Sequence, residues 1–102
     1  MTRKLNALDQ IMDYLSESYD KGGLMLQEEE LGENFFDLST GLAGELFQKF
    51  TNYNSRLALV IADPGRYNKR FQELAYEHKS HPGVRVFSTV EAARDWLNAQ
   101  VA

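Results

Sequence analysis

The chain has 102 residues, of which 43% are hydrophobic and 25% charged, with a formal charge of −4. This length suits one domain over residues 1–102 that buries roughly two-thirds of its unfolded surface. It has no cysteine, which excludes disulfides, thiolate metal sites and thiol catalysis.

The first element reads as a helix. Leu5, Leu8, Met12, Leu15 and Tyr19 recur at spacings of three and four and define its expected buried face, with Asp9, Asp13 and Glu17 elsewhere. Asp20-Lys21-Gly22-Gly23 stops it, and Leu24 to Gln27 is a short strand. Glu28-Glu29-Glu30 is a solvated, irregular acidic stretch. Neighbouring residues there point to opposite faces, which disfavours a metal site. The pair Phe35-Phe36 reads as core, with one of the two available as an interface anchor.

A turn at Asp37-Leu38-Ser39-Thr40-Gly41 then opens an amphipathic helix that buries Leu42, Leu46, Phe47 and Phe50. Residues 57 to 62 form a strand with Leu57, Leu59 and Ile61 on one face and Ala58, Val60 and Ala62 on the other. Apolar residues on both faces are the mark of a strand inside a parallel sheet. Helices are expected on the large-residue side, and a thinner cover or a partner on the small side. After Asp63-Pro64-Gly65 comes a helix with Tyr67, Phe71, Leu74, Ala75 and His78 at helical spacing, ending near Ser80. Val84 to Phe87 is a third strand. Ser88 and Glu91 fit a capping box for a last helix that buries Val90, Ala93, Trp96 and Leu97. The order α-β-α-β-α-β-α implies an α/β fold with a small parallel sheet and right-handed crossovers.

Three groups of residues are candidates for function. Asp37, Ser39, Thr40 and Gly41 gather hydroxyls and a glycine at a helix start, where backbone N–H groups lack partners and an anion or a phosphorylated hydroxyl would be favoured. Plain helix capping is the competing reading. No base lies nearby in sequence, because both histidines come much later, so a hydrolase built on Ser39 or Thr40 has little support. Arg66, Lys69 and Arg70, spaced by three and four beside Tyr67, would meet a phosphate or an acidic surface, or else form a solvated face. His78 and His81, with only Glu77 to add, are too few for a metal site and suit a helix C-terminus better. No cofactor is implied.

Charge bears on partners. Residues 1–45 hold 3 basic and 10 acidic side chains, and residues 46–102 hold 8 and 5. The acidic total argues against nucleic acid, and the uneven split suits a charged partner or self-association. No apolar run approaches the roughly 18 residues of a membrane span, and Met1 to Leu15 lacks a signal-peptide core, so a cytoplasmic protein is expected.

The segments FFDLSTGLAGELFQKFTNY and RLALV, with ALDQIMDYL, resemble the bacterial domain-of-unknown-function 4180 family, which carries no established activity. A looser likeness is to the second half of a STAS domain, the anti-sigma factor antagonist fold, in LMLQEEELGENFFDLSTGLAGELFQKFTNYNSRLALV and VRVFSTVEAARDWL. In that fold a strand leads to an Asp-Ser-Ser-Gly-Leu turn. Thr40-Gly41-Leu42 would fall on the phosphorylatable Ser-Gly-Leu, with Asp37 for the Asp and one residue more between Asp and Gly. The likeness implies a STAS-like right-handed β-α superhelix lacking its opening strands. It favours a non-catalytic interaction or regulatory module over a small anion- or ligand-binding domain, enzymatic or not, that uses the helix N-terminus at Thr40-Gly41 with Arg66 and Lys69. The missing strand would leave the edge at Leu24, Met25 and Leu26 bare, which with the small-residue face leads to an expected homodimer.

Overall fold

The computed structural model describes residues 4–99, so the 1–102 span of the expected domain reaches beyond the described residues at both ends. Their order is α1 (Ile11–Lys21), β1 (Leu24–Gln27), α2 (Glu33–Phe36), α3 (Leu42–Asn52), β2 (Leu57–Val60), α4 (Lys69–Glu77), β3 (Val84–Phe87) and α5 (Val90–Ala99). Single turns of tight helix occur at Leu8–Gln10, Glu28–Glu30, Leu38–Thr40 and Pro64–Arg66. The described strands form one parallel sheet in the order β1-β2-β3, with Leu24, Leu57 and Val84 in register. The α/β fold with alternating helices is the one the sequence pattern implies. The short α2 is an addition.

The alternation along β2 sets the layers. Leu57, Leu59 and Ile61 join the main core with Leu15 of α1, Phe35 of α2, Leu46 and Phe50 of α3, and Phe71 of α4. Ala58 and Val60 face the other way and are covered by Ala93 and Trp96 of α5, with Val90 and Leu97 half-buried beside them. The small side chains let this one helix lie close, so the face expected to be thinly covered is shielded from within. Ala62 lies past the strand end and is exposed.

The β1 edge is closed at its two ends. The Leu24 amide donates to Arg56 O at 2.9 Å, so Leu24 and Leu26 turn their peptide groups toward β2 while Met25 and Gln27 face outward. On that outer side the Gly23 amide donates to Ser18 O and the Gln27 amide to the Glu30 carboxylate, both at 2.8 Å. Beyond the turn, Leu5 makes a parallel bridge to Leu31, with its amide on Glu30 O at 2.8 Å. A single bridged residue stands where an opening strand was missed. The covered small-residue face therefore gives no support to self-association, and of the β1 edge the two ends are closed.

Two helices differ from expectation. On α1 the buried residues are Ile11, Tyr14, Leu15 and Ser18, while Leu8, Met12 and Tyr19 of the expected face are 53%, 50% and 54% exposed. The helix carries two apolar stripes, and the docked one delivers Ser18, whose hydroxyl lies 2.5 Å from that of buried Ser55. At α5 the cap is Thr89, whose hydroxyl accepts the Ala92 amide at 3.2 Å, one residue later than the Ser88–Glu91 box.

Candidate functional site

The turn at residues 37–41 is locked by its own polar groups. Asp37 Oδ1 accepts from the Ser39 hydroxyl at 2.6 Å and the Ser39 amide at 3.1 Å. These two bonds, the hydroxyl's first, hold the Asp37 carboxyl below its usual range. A carboxylate so stabilised is a weak base, so the pair is ill suited to activating Ser39 as a nucleophile. The Thr40 hydroxyl lies 2.6 Å from Asn34 O and 2.8 Å from Asp37 O, and accepts the Leu42 amide at 3.3 Å. Gly41 takes a left-handed conformation, φ 78°, that lets α3 start abruptly. The turn does not follow a strand directly, as the STAS pattern has it. A tight turn, the Leu31 bridge and α2 separate it from β1.

The basic residues divide. Arg66 sits in the Pro64–Arg66 turn and is not on the helix. The helix begins at Lys69 because Asn68 caps it, its side chain accepting the Phe71 amide at 2.9 Å. Asn68 Nδ2 also donates to Phe36 O at 2.8 Å, which ties the start of α4 to the end of α2. Lys69 and Arg70 consequently share a hollow of about 390 Å³ with Asp37, Leu38 and Ser39. The fold thus joins Asp37 and Ser39 to Lys69 and Arg70, and leaves Thr40, Gly41 and Arg66 out. Gly41 instead lines a groove of about 340 Å³ with Leu8, Met12, Glu45 and Lys49.

The histidines serve the end of α4. His78 is the C-cap residue, its Nδ1 lying 2.9 Å from Leu74 O. His81 Nδ1 accepts the amides of Gly83 and Val84 at 3.0 and 3.1 Å, which requires an unprotonated nitrogen. Burial, then the neighbouring His78 and Arg85, push its pKa down. Among the described residues no group of three or more His, Cys, Asp and Glu is placed to hold a metal.

Two features escaped the sequence reading. Tyr67, expected within the helix, lies before it. Its ring stacks on Phe36 at 4.0 Å and its hydroxyl donates to the Glu28 carboxylate. Burial, the hydrogen bond to Glu28 and that carboxylate's charge raise its pKa to about 12, against a smaller opposing effect of Arg66. The second is an exposed apolar ridge along α1, where Leu8 and Met12 are followed by Tyr19, whose hydroxyl reaches Tyr53 O at 3.3 Å; Tyr53 is 48% exposed. The signal for it was present as the second apolar stripe of α1.

These features define a small parallel α/β domain with a locked capping turn, a basic hollow and an apolar ridge. The chain belongs to the family described as Domain of unknown function (DUF4180), which matches residues 1–97. No curated protein and no solved structure matches it. Among the described residues no helix is long and apolar enough to cross a membrane.

Proposed function

We propose that this protein is a non-catalytic, cytoplasmic interaction module that receives an apolar, basic segment of another protein along the α1–α3 ridge. The observation that carries this reading is the exposure of Leu8, Met12, Tyr19 and Tyr53 on one side of the molecule. Leu8 and Met12 share one groove and the Tyr19 hydroxyl reaches Tyr53 O, so these are two pairs and not the scattered singles of an ordinary surface. Exposed Asp9, Asp13 and Asp20 lie beside them along the chain and complement a basic partner, while Glu45 pairs with Lys49 at 3.8 Å. The capping turn borders the same groove through Gly41, so a change in that turn would be felt by the bound segment. A synthetic amphipathic Leu/Lys helix is a suitable probe. It should shift the amide resonances of Leu8, Met12 and Tyr19, and Met12→Gln should weaken it about tenfold. Shifts confined to other surfaces refute the reading. A light-scattering mass of twice 11.7 kDa that Met12→Gln halves would assign the ridge to a second copy.

A second reading rests on Lys69 and Arg70. They occupy the first turn of α4, where no acidic residue is present and the helix dipole disfavours cations by about 0.3–1 kcal/mol each. Such a placement suits an anion or acidic side chain in the hollow beside Ser39. Inorganic phosphate that binds the protein but not Lys69→Gln would favour it.

A further inference from the structure

The chain leaves β2 and β3 in opposite directions. From Val60 it turns through Pro64–Arg66 into α4, on the face that holds α1 and α3. From Phe87 it turns through Ser88 and Thr89 into α5, the only helix on the other face among the described residues. When neighbouring parallel strands send their exits to opposite faces, a crevice opens beyond their carboxyl ends, and open α/β sheets hold small ligands there. This molecule has a crevice of about 410 Å³ at that place, floored by Ala75 and Val86, walled by Tyr76 and Lys79, and bounded by Gly65 and Ser88. Topology and shape point independently to one position. The Asp37–Gly41 turn, by contrast, has no strand running into it.

We infer that this crevice binds a small organic anion with a flat apolar body. Its volume lies within the range of roughly 300–1,000 Å³ typical of small-molecule sites. Val86 is half-buried and Ala75 6% exposed, so the two offer an apolar floor, whereas Tyr76 is 74% exposed and offers a ring face at the mouth. The Lys79 ammonium lies 5.3 Å from the centre of that ring, so an aromatic surface and a positive charge stand at the same rim. Ser88 supplies a hydroxyl from the β3 side. The lip opposite is held in place before any ligand arrives. Gly65 donates its amide to Asp63 Oδ1 at 2.9 Å, and Gln72 Nε2 donates to Tyr67 O at 2.8 Å. The apolar body would lie against Ala75, Val86 and Tyr76, with its anionic end toward Lys79 and Ser88. This site is separate from the α1–α3 ridge, and either can fail without the other.

Anilinonaphthalene sulfonate, a flat aromatic anion, and the neutral dye N-phenylnaphthylamine form a matched pair of probes. The intact protein should bind one sulfonate dye per chain and shift the amide resonances of Tyr76 and Ser88. Lys79→Gln should weaken the sulfonate about tenfold, the size of one charge-assisted contact, and leave the neutral dye within about twofold. Ser88→Trp, an exposed replacement that plugs the mouth, should remove both. If that variant fails to fold, Lys79→Gln and the resonance map still decide. Equal affinity for both dyes in Lys79→Gln and the wild type, shifts at Leu8 and Met12 instead, or no binding of either dye would overturn the inference.

Discussion

Replacing Gly44 by alanine should stabilise this protein, and the same change three residues earlier should do the opposite. Gly44 lies in the first turns of α3, and a Cβ built on it meets no heavy atom within 4 Å. Alanine there gains helix propensity of up to about 1 kcal/mol with no clash to offset it; the early position in the helix reduces this to about 0.5–1 kcal/mol. A Cβ on Gly41 also meets nothing within 4 Å, but φ there is 78°. Any loss on Gly41→Ala therefore reports the left-handed backbone alone, and should be about 1 kcal/mol. The two variants should differ by about 1.5–2 kcal/mol in urea unfolding at constant m-value, and by several degrees in melting temperature. Destabilisation by Gly44→Ala would mean that this side of α3 is covered or not helical.

Tyr67→Phe keeps the stack on Phe36 and loses the bond to Glu28, and should cost about 1 kcal/mol by chemical denaturation at neutral pH. Because the folded state raises the phenol's pKa from 10.0 to about 12, the wild type should also lose stability as pH rises across that interval, and the variant should not. For His81 the folded state lowers the pKa below 6.5 and favours the neutral ring, so its contribution is present above that value and lost as pH falls below it. His81→Asn, whose side-chain oxygen can accept the same two amides without titrating, should flatten the fall in melting temperature between about pH 7 and 5. An unchanged slope would show that other groups set it.

The sheet was legible because the pattern within each strand has one meaning. Leu57, Leu59 and Ile61 against Ala58 and Val60 forecast both a buried strand and unequal layers, and the structure fills them so. Helix faces were less legible. On α1 the exposed Leu8, Met12 and Tyr19 look as apolar as the docked Ile11, Tyr14 and Leu15, and periodicity alone does not say which stripe meets the sheet. Arg66 was placed on the helix because Tyr67 and Phe71 are four apart; the Asn68 cap, a readable signal, puts the boundary two residues after Tyr67. Of the candidate site residues, only Asp37, Ser39, Lys69 and Arg70 come together, through contacts between α2 and α4 that no local pattern encodes. The Tyr67–Glu28 tether joins residues far apart in sequence, and the crevice beside Ser88 follows from strand order, so both needed the assembled sheet.

Among the described residues one helix covers the small-residue face, which predicts unequal durability for the two sides. On one side several helices share an interlocked core, so none can lift without opening its neighbours. On the other, Val90, Ala93, Trp96 and Leu97 of α5 belong to a smaller cluster, so α5 is expected to open locally before the rest of the fold. Amide hydrogens of α5 should therefore exchange with solvent through a cheap local opening, while those of β2, bonded on both edges, wait for global unfolding. Each such opening would bare Ala58 and Val60 and loosen the Ser88 rim. The fold thus has one side built to persist and another that can breathe.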